Sequence, residues 1–169
     1  MNYNTLFLDR DGVINRKIDN GYVLKPDDIQ LMPGIKEFLS WANKLFLQIV
    51  VVTNQRCIGR KMLTEEELLS IHKDLNDRTG NFIDDFLFCP HLDEDYCGCR
   101  KPKEGLFLKA AENYAVDFGR SWMIGDSVSD LIPAKNLGIK TIYIGSASSV
   151  YADYTLTSTS EIISVFKPG

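Results

Sequence analysis

Two aspartates one residue apart close an apolar run near the start of the chain, Leu6-Phe7-Leu8-Asp9-Arg10-Asp11-Gly12. Alternate residues of an extended strand point the same way, so Asp9 and Asp11 would share one face. Two acids on one face repel unless a cation, a proton or phosphoryl chemistry uses them. A strand end whose acids merely cap a turn is the plainer reading, and this stretch alone leaves both open. Two further apolar runs end in polar groups, Val52-Thr53-Asn54 and Ile124-Gly125-Asp126, and Lys101 adds a cation. Brought together, these residues suit attack of a carboxylate on phosphorus, with Asp9 as nucleophile. Asp11 would protonate the leaving oxygen and then activate water. Thr53 and Asn54 would donate hydrogen bonds to the phosphoryl oxygens, and Lys101 would supply fixed charge. A carboxylate approaching a phosphate dianion needs a cation between them. Asp9, Asp126 and a backbone carbonyl suit octahedral Mg²⁺ that keeps several waters. Asp130 would either support that metal or be an acid favoured by the start of its helix.

A second cluster follows: Cys89-Pro90-His91, then Cys97-Gly98-Cys99-Arg100-Lys101. Three cysteines and a histidine within residues 89–99 match a tetrahedral Cys₃His zinc site. Four protein ligands leave no open position, so such a zinc would be structural. A disulfide or unconnected thiols is the alternative. The knot would stiffen the loop that carries Arg100 and Lys101 toward the strand ends. Cys57 lies outside the cluster and is expected to be inert. His72 has no acidic or thiol neighbour in helical register and reads as structural or surface.

The elements that must hold these groups alternate. Gln48–Thr53 is rich in β-branched residues and reads as a central parallel strand. Phe86–Phe88, Trp122–Ile124 and Thr141–Ile144 read as further strands, and Tyr154–Leu156 as an edge strand. Ile35, Phe38, Leu39, Ala42 and Leu45 have helical spacing, with Trp41 beside the stripe as a core residue. Thr64-Glu65-Glu66-Glu67 is a capping box opening a helix. Helices are also expected over 104–116, 130–137, closed by Gly138, and 161–166. Asn20-Gly21 is a turn pair whose flanks could form a small hairpin. The alternation predicts an α/β fold, a doubly wound parallel sheet whose strand ends meet along one edge. All of 1–169 is expected to form a single domain with the cysteine loop at 89–99.

The 169 residues carry a net charge of −4. No basic field favours nucleic acid, and no run approaches membrane-spanning length. The opening residues lack the basic region and apolar core of a signal peptide. The expectation is a cytoplasmic, monomeric protein acting on a small molecule, with neither nucleic acid nor membrane as partner.

These motifs resemble the haloacid dehalogenase superfamily of phosphatases over nearly the whole chain. Asp9-Arg10-Asp11-Gly12 matches its first motif, Val52-Thr53-Asn54 its second, Lys101 its third and Gly125-Asp126-Ser127-Val128-Ser129-Asp130 its fourth. The cysteine loop narrows the resemblance to the branch that holds the phosphatases of heptose bisphosphate and of histidinol phosphate. It implies a Rossmann-like fold, Mg²⁺ held by Asp9, the carbonyl of Asp11, and Asp126, and zinc held by Cys89, His91, Cys97 and Cys99. It also implies that Arg100 and Lys101 grip the substrate. The closeness of the second and third motifs leaves no room for a large cap domain, so the site should be open. The opening motif, Gly21-Tyr22-Val23 and Thr53-Asn54-Gln55 favour a heptose bisphosphate of cell-envelope precursor synthesis. The five residues between His91 and Cys97 match the histidinol-phosphate spacing instead. After Gln55 the family usually continues Ser-Gly-Ile, where this chain has Arg56-Cys57-Ile58. A zinc-containing binding module without catalysis would show a broken nucleophile, acid, lysine or metal acid, and all four are intact. A nucleic-acid end-processing phosphatase is disfavoured by the acidic balance.

Overall fold

A computed structural model describes residues 3–167. In chain order it contains strand β1 (Tyr3–Leu8), helix α1 (Ile35–Ala42), β2 (Phe46–Asn54), α2 (Arg56–Gly59) and α3 (Glu65–Thr79). Then follow β3 (Asp85–Cys89), α4 (Gly105–Asn113), β4 (Trp122–Gly125), α5 (Val128–Asn136), β5 (Lys140–Ile144), β6 (Tyr154–Leu156) and α6 (Ile162–Phe166). The strands form one sheet in the order β3-β2-β1-β4-β5-β6, every pair parallel. Strand order reverses between β1 and β4, and beyond the carboxyl ends of strands at such a reversal open α/β sheets bind ligands.

Strand periodicity divides the core. Leu6 and Leu8 of β1 and Ile49 and Val51 of β2 face one side, where they meet α1, α3 and α6 through Phe38, Leu39, Leu68, Ile71 and Ile162. Phe7, Val50 and Val52 face the other and meet Leu106, Phe107 and Ala110 of α4 and Ala134 of α5. Both faces of the central strands are therefore dry. That explains their near-continuous apolar runs and forces the polar ends to the sheet edge.

The expected helices are present with shifted ends. The third-last helix stops at Asn113, because Tyr114 is extended. The next begins at Val128, two residues before the expected start, with Ser127 as its cap. Trp41 is partly buried against the core and packs on Phe38 and Phe166. The small hairpin is absent. Asn20 adopts a positive φ and Gly21 N–H reaches Ile18 O, so the turn forms. The flanking segment pairs elsewhere, with Arg16 N–H on Gln30 O and Met32 N–H on Ile14 O, which removes the groups a hairpin would need. Among the described residues, no helix is long and apolar enough to cross a membrane.

Candidate active site and metal-ligand loop

β1 and β4 are neighbours, so the residues that follow them emerge side by side: Asp9 and Asp11 from β1, Asp126 from β4. Asp130 joins them from the first turn of α5. Carboxylate oxygens of Asp9, Asp126 and Asp130 lie within 4.8 Å of one another. Two glycines permit this crowding. Gly12 has φ +94°, and a Cβ there would meet Asp126 Oδ2 at 2.1 Å; a Cβ on Gly125 would meet Asp130 Cβ at 2.4 Å.

Lys101 enters from the opposite side and is 4% exposed. Its Nζ donates to Asp9 Oδ1 at 2.8 Å, Asp130 Oδ1 at 2.6 Å and Val52 O at 2.7 Å. Burial alone would lower the lysine pKa, but the Asp130 and Asp9 carboxylates outweigh it and raise it. One lysine does not balance three clustered acids. Burial, then the charges of Asp9 and Asp130, push the Asp126 carboxyl up to about 7, against a weaker opposing pull from Lys17. Burial and Asp9 likewise push Asp130 up to about 6 against the pull of Lys101. Asp126 Oδ1 is buried and has no partner. The donor set is all oxygen, over-negative and one bond short, which fits a hard divalent cation. Asp130 has both oxygens engaged, Oδ1 by Lys101 and Oδ2 by Ser127 N–H. It orients the lysine and the cap of α5.

Asp11 is held differently. Arg10 donates from Nε to Oδ1 at 3.2 Å and from Nη2 to both oxygens at 3.0 Å. Asn15 and Gln55 add bonds at 2.9 and 3.1 Å. Burial would raise the Asp11 carboxyl, but Arg10 and these hydrogen bonds prevail and hold it below the usual carboxylate range. Thr53 is buried, and its hydroxyl accepts from Gln55 at 2.7 Å. Asn54 spends both ends of its amide on the main chain of Lys101, at 3.0 Å each. The lysine is thereby clamped in place, a role for Asn54 that the sequence reading did not contain.

These groups line a cleft of about 500 Å³. Its outer wall carries Lys17, Arg56, Arg60, Arg100 and Tyr22. Arg56 Nε and Arg60 Nη1 both donate to the Tyr22 hydroxyl, at 3.0 and 2.8 Å. Asp93 binds Arg100 Nε and lies 3.9 Å from Arg56 Nη1. Arg56 therefore faces the cleft, whereas Cys57 is fully buried in the core.

The second cluster assembles behind Lys101. Cys89 Sγ and Cys99 Sγ each lie 3.6 Å from Cys97 Sγ, and His91 Nδ1 lies 3.5 Å from Cys89 Sγ and 3.2 Å from Cys99 Sγ. No disulfide forms; the sulfurs stand far beyond S–S bonding distance. A tetrahedron with metal–sulfur bonds of about 2.3 Å has sulfur–sulfur edges of about 3.8 Å, so the four atoms are spaced for a metal ion. Burial opposes ionisation of Cys97, but the Arg100 N–H and the neighbouring thiols pull it down to about 7. Gly105 N–H bonds Gly98 O, and a Cβ on Gly105 would meet that oxygen at 2.4 Å. The loop is thus pressed onto the start of α4, and Lys101 lies in the short stretch between the two contacting glycines.

The profile of the haloacid dehalogenase-like hydrolases matches residues 3–138. The chain belongs to that family. A curated relative, D-glycero-beta-D-manno-heptose-1,7-bisphosphate 7-phosphatase of Helicobacter pylori (strain ATCC 700392 / 26695), is 39% identical over 145 residues and covers 83% of each chain. The protein of the same name from Yersinia pestis is 33% identical, covering 96% of this chain and 94% of its own. Among solved structures, D,D-heptose 1,7-bisphosphate phosphatase from B. bronchiseptica, complexed with magnesium and phosphate, superposes with a TM-score of 0.84. It is 25% identical and covers 96% of this chain and 97% of that one.

In this hydrolase the structure brings Asp9, Asp11, Thr53, Arg100, Lys101 and Asp126 to one cleft, with Asn54 beside them. Sequence reasoning missed Arg10, Asn15 and Gln55 as the holders of Asp11. Each lies within or beside a quoted motif, but nothing in its spacing says where its side chain turns. It also missed His72 as a partner of Arg10. His72 is 2% exposed, its Nε2 lies 3.2 Å from Arg10 Nη1, and it stacks on Phe86 at 4.5 Å. Burial and the adjacent guanidinium lower its pKa to about 3, against the pull of Asp11.

Proposed function

We propose that the protein is a Mg²⁺-dependent phosphomonoester hydrolase that removes the 7-phosphate of D-glycero-D-manno-heptose 1,7-bisphosphate through an aspartyl-phosphate on Asp9. The carrying observation is the Asp9–Lys101–Asp130 contact at the strand-order reversal, beside an acid, Asp126, whose buried Oδ1 lacks a partner. Relatives named for this activity, matched over most of both chains, support the substrate.

In this reading Asp9, the carbonyl of Asp11, and Asp126 hold Mg²⁺, which when bound offsets the repulsion between carboxylate and phosphate dianion. Asp9 attacks phosphorus while Lys101 fixes its carboxylate and neutralises phosphoryl charge. Thr53 offers its hydroxyl proton to a phosphoryl oxygen, and Asn54 serves by clamping Lys101. Asp11 rests as a carboxylate; the entering dianion beside it favours uptake of a proton. That proton passes to the leaving sugar oxygen as its bond to phosphorus breaks. Asp11 then takes a proton from the water that attacks the aspartyl-phosphate, releasing inorganic phosphate and restoring Asp9.

Arg56, Arg60, Arg100 and Lys17 supply cations on the outer wall, away from Lys101, which suits a substrate with a second anionic group. Cys89, His91, Cys97 and Cys99 hold a structural zinc. The spacing of the loop favours histidinol phosphate as the second reading. The test is phosphate release with Mg²⁺ from heptose 1,7-bisphosphate and histidinol phosphate side by side. A kcat/KM preference for the heptose of about tenfold or more, roughly 1.4 kcal/mol, is expected. The reverse preference would overturn the substrate, and no release from either would overturn the enzyme.

A further inference from the structure

His72 lies on the core-facing stripe of α3 with Leu68, Ile71 and Leu75. A leucine would pack there equally well, so a histidine calls for a reason. The reason is Arg10, which is 1% exposed and heads the largest fully buried side chains. Its Nε and Nη2 are committed to Asp11, and among the described residues Nη1 meets only His72 Nε2, at 3.2 Å. A guanidinium can only donate. His72 Nε2 must therefore accept, and the ring must be neutral with its proton on Nδ1, which is buried without a partner; a neutral N–H left so costs less than a charged one. An acid at this position would compete with Asp11 for the guanidinium. An apolar residue would leave a buried charged N–H unpaired. A neutral acceptor, stacked flat on Phe86, satisfies Nη1 and leaves the other donors of the fork to Asp11.

We propose that His72 is a positioning residue for Asp11, anchoring the Arg10 guanidinium so that its fork presents the Asp11 carboxyl to the leaving oxygen. The inference rests on the phosphatase reading above. In the step concerned, the bond from Asp9 to phosphorus forms and the bond from phosphorus to the leaving oxygen breaks. The electron pair stays on that oxygen, and Asp11 supplies its proton. Up to release of the leaving group, the stretch that kcat/KM reports, a misplaced Asp11 then matters only where that group needs the proton; the later attack of water needs Asp11 for every substrate.

The experiment compares a sugar phosphate with p-nitrophenyl phosphate, whose p-nitrophenolate departs unprotonated. His72→Phe keeps the ring stack and removes the acceptor. It is expected to lower kcat/KM on heptose 1,7-bisphosphate about tenfold or more. Its kcat/KM on p-nitrophenyl phosphate should stay within about twofold of the parent, while kcat falls on both because the attack of water also needs Asp11. His72→Gln, which retains an acceptor, should recover most of the loss. Equal loss of kcat/KM on both substrates, or loss on neither, would overturn the role of His72. Should His72→Phe fail to fold, Arg10→Lys tests the relay at its middle. A lysine keeps the charge but cannot bridge His72 and Asp11 together, and the same split between substrates is expected; equal loss again refutes the relay. A parent protein inactive on every phosphomonoester would count against the phosphatase reading itself, whereas an active parent without the split counts only against His72.

Discussion

The carboxylate cleft and the cysteine loop are both clusters of potential metal ligands packed within 4.8 Å, yet they are built in opposite ways. The cleft draws Asp9, Lys101, Asp126 and Asp130 from three separate parts of the chain, and its charge is unbalanced. The loop draws all its ligands from residues 89–99 and offers four donors around one centre. An incomplete, over-negative set invites an exchangeable cation and a substrate; a closed set holds its ion and takes no further ligand. The difference shows why one chain needs both. Lys101 must meet two acids from other elements within hydrogen-bond distance, and a loop of its length would not hold it there unaided.

The largest expected break in this contrast is Asp9→Asn. It should leave the fold and one zinc per chain in place while kcat falls about 10⁴-fold or more; retained turnover would remove Asp9 as nucleophile. Cys97→Ser should act the other way round. Zinc content, read by metal analysis, is expected to fall away, thermal stability to drop, and activity to decline about 10- to 100-fold as Lys101 loosens. Excess Mg²⁺ should not restore it, whereas Mg²⁺ should fully restore a parent protein from which only weakly held metal was stripped. If one tightly held zinc survives in Cys97→Ser, the ligand set is wrong. Arg56→Ser probes the outer wall alone. Expected is a rise in KM for the bisphosphate of about three- to tenfold at constant kcat; a fall in kcat instead would place Arg56 in the chemistry.

The smallest effect concerns pH. His72 is neutral in the fold, with a pKa of about 3 against an ordinary 6.5. Between those values the unfolded chain binds the proton and the folded chain does not, so stability rises with pH across the window and is lost on acidification. The loss approaches about 1.4 kcal/mol per unit descended. Denaturant titrations from pH 7 to 4 should therefore slope less in His72→Phe than in the parent. Identical slopes would exclude His72 as the source.

Much of this was legible in the residues. The apolar runs that end in Asp9, Thr53 and Asp126 marked strands dry on both faces, and parallel strands must deliver their ends to one edge. Cys89, His91, Cys97 and Cys99 declared themselves by spacing, since an eleven-residue loop closes on its own ligands. The hairpin expected at Asn20-Gly21 failed because its flank found partners at Gln30 and Met32, and turn chemistry does not say what lies alongside. Asn54, read as a phosphate donor, lines the cleft and is also tied to the main chain 47 residues away, a tie that its spacing did not announce.

By itself the sequence determined the alternation of strand and helix, the dry apolar runs of the central strands, the local cysteine loop, and which strands end in acids. Those follow from periodicity and short-range spacing. Only the tertiary structure decided that β1 lies next to β4, that Asp130 turns to Lys101, that one buried oxygen of Asp126 is left without a partner, and that Arg10 reaches Asp11 and His72 together. Such pairings depend on strand order and on where long side chains turn once buried, and those choices are made by competition for hydrogen bonds in a dry interior, after the chain has closed on itself.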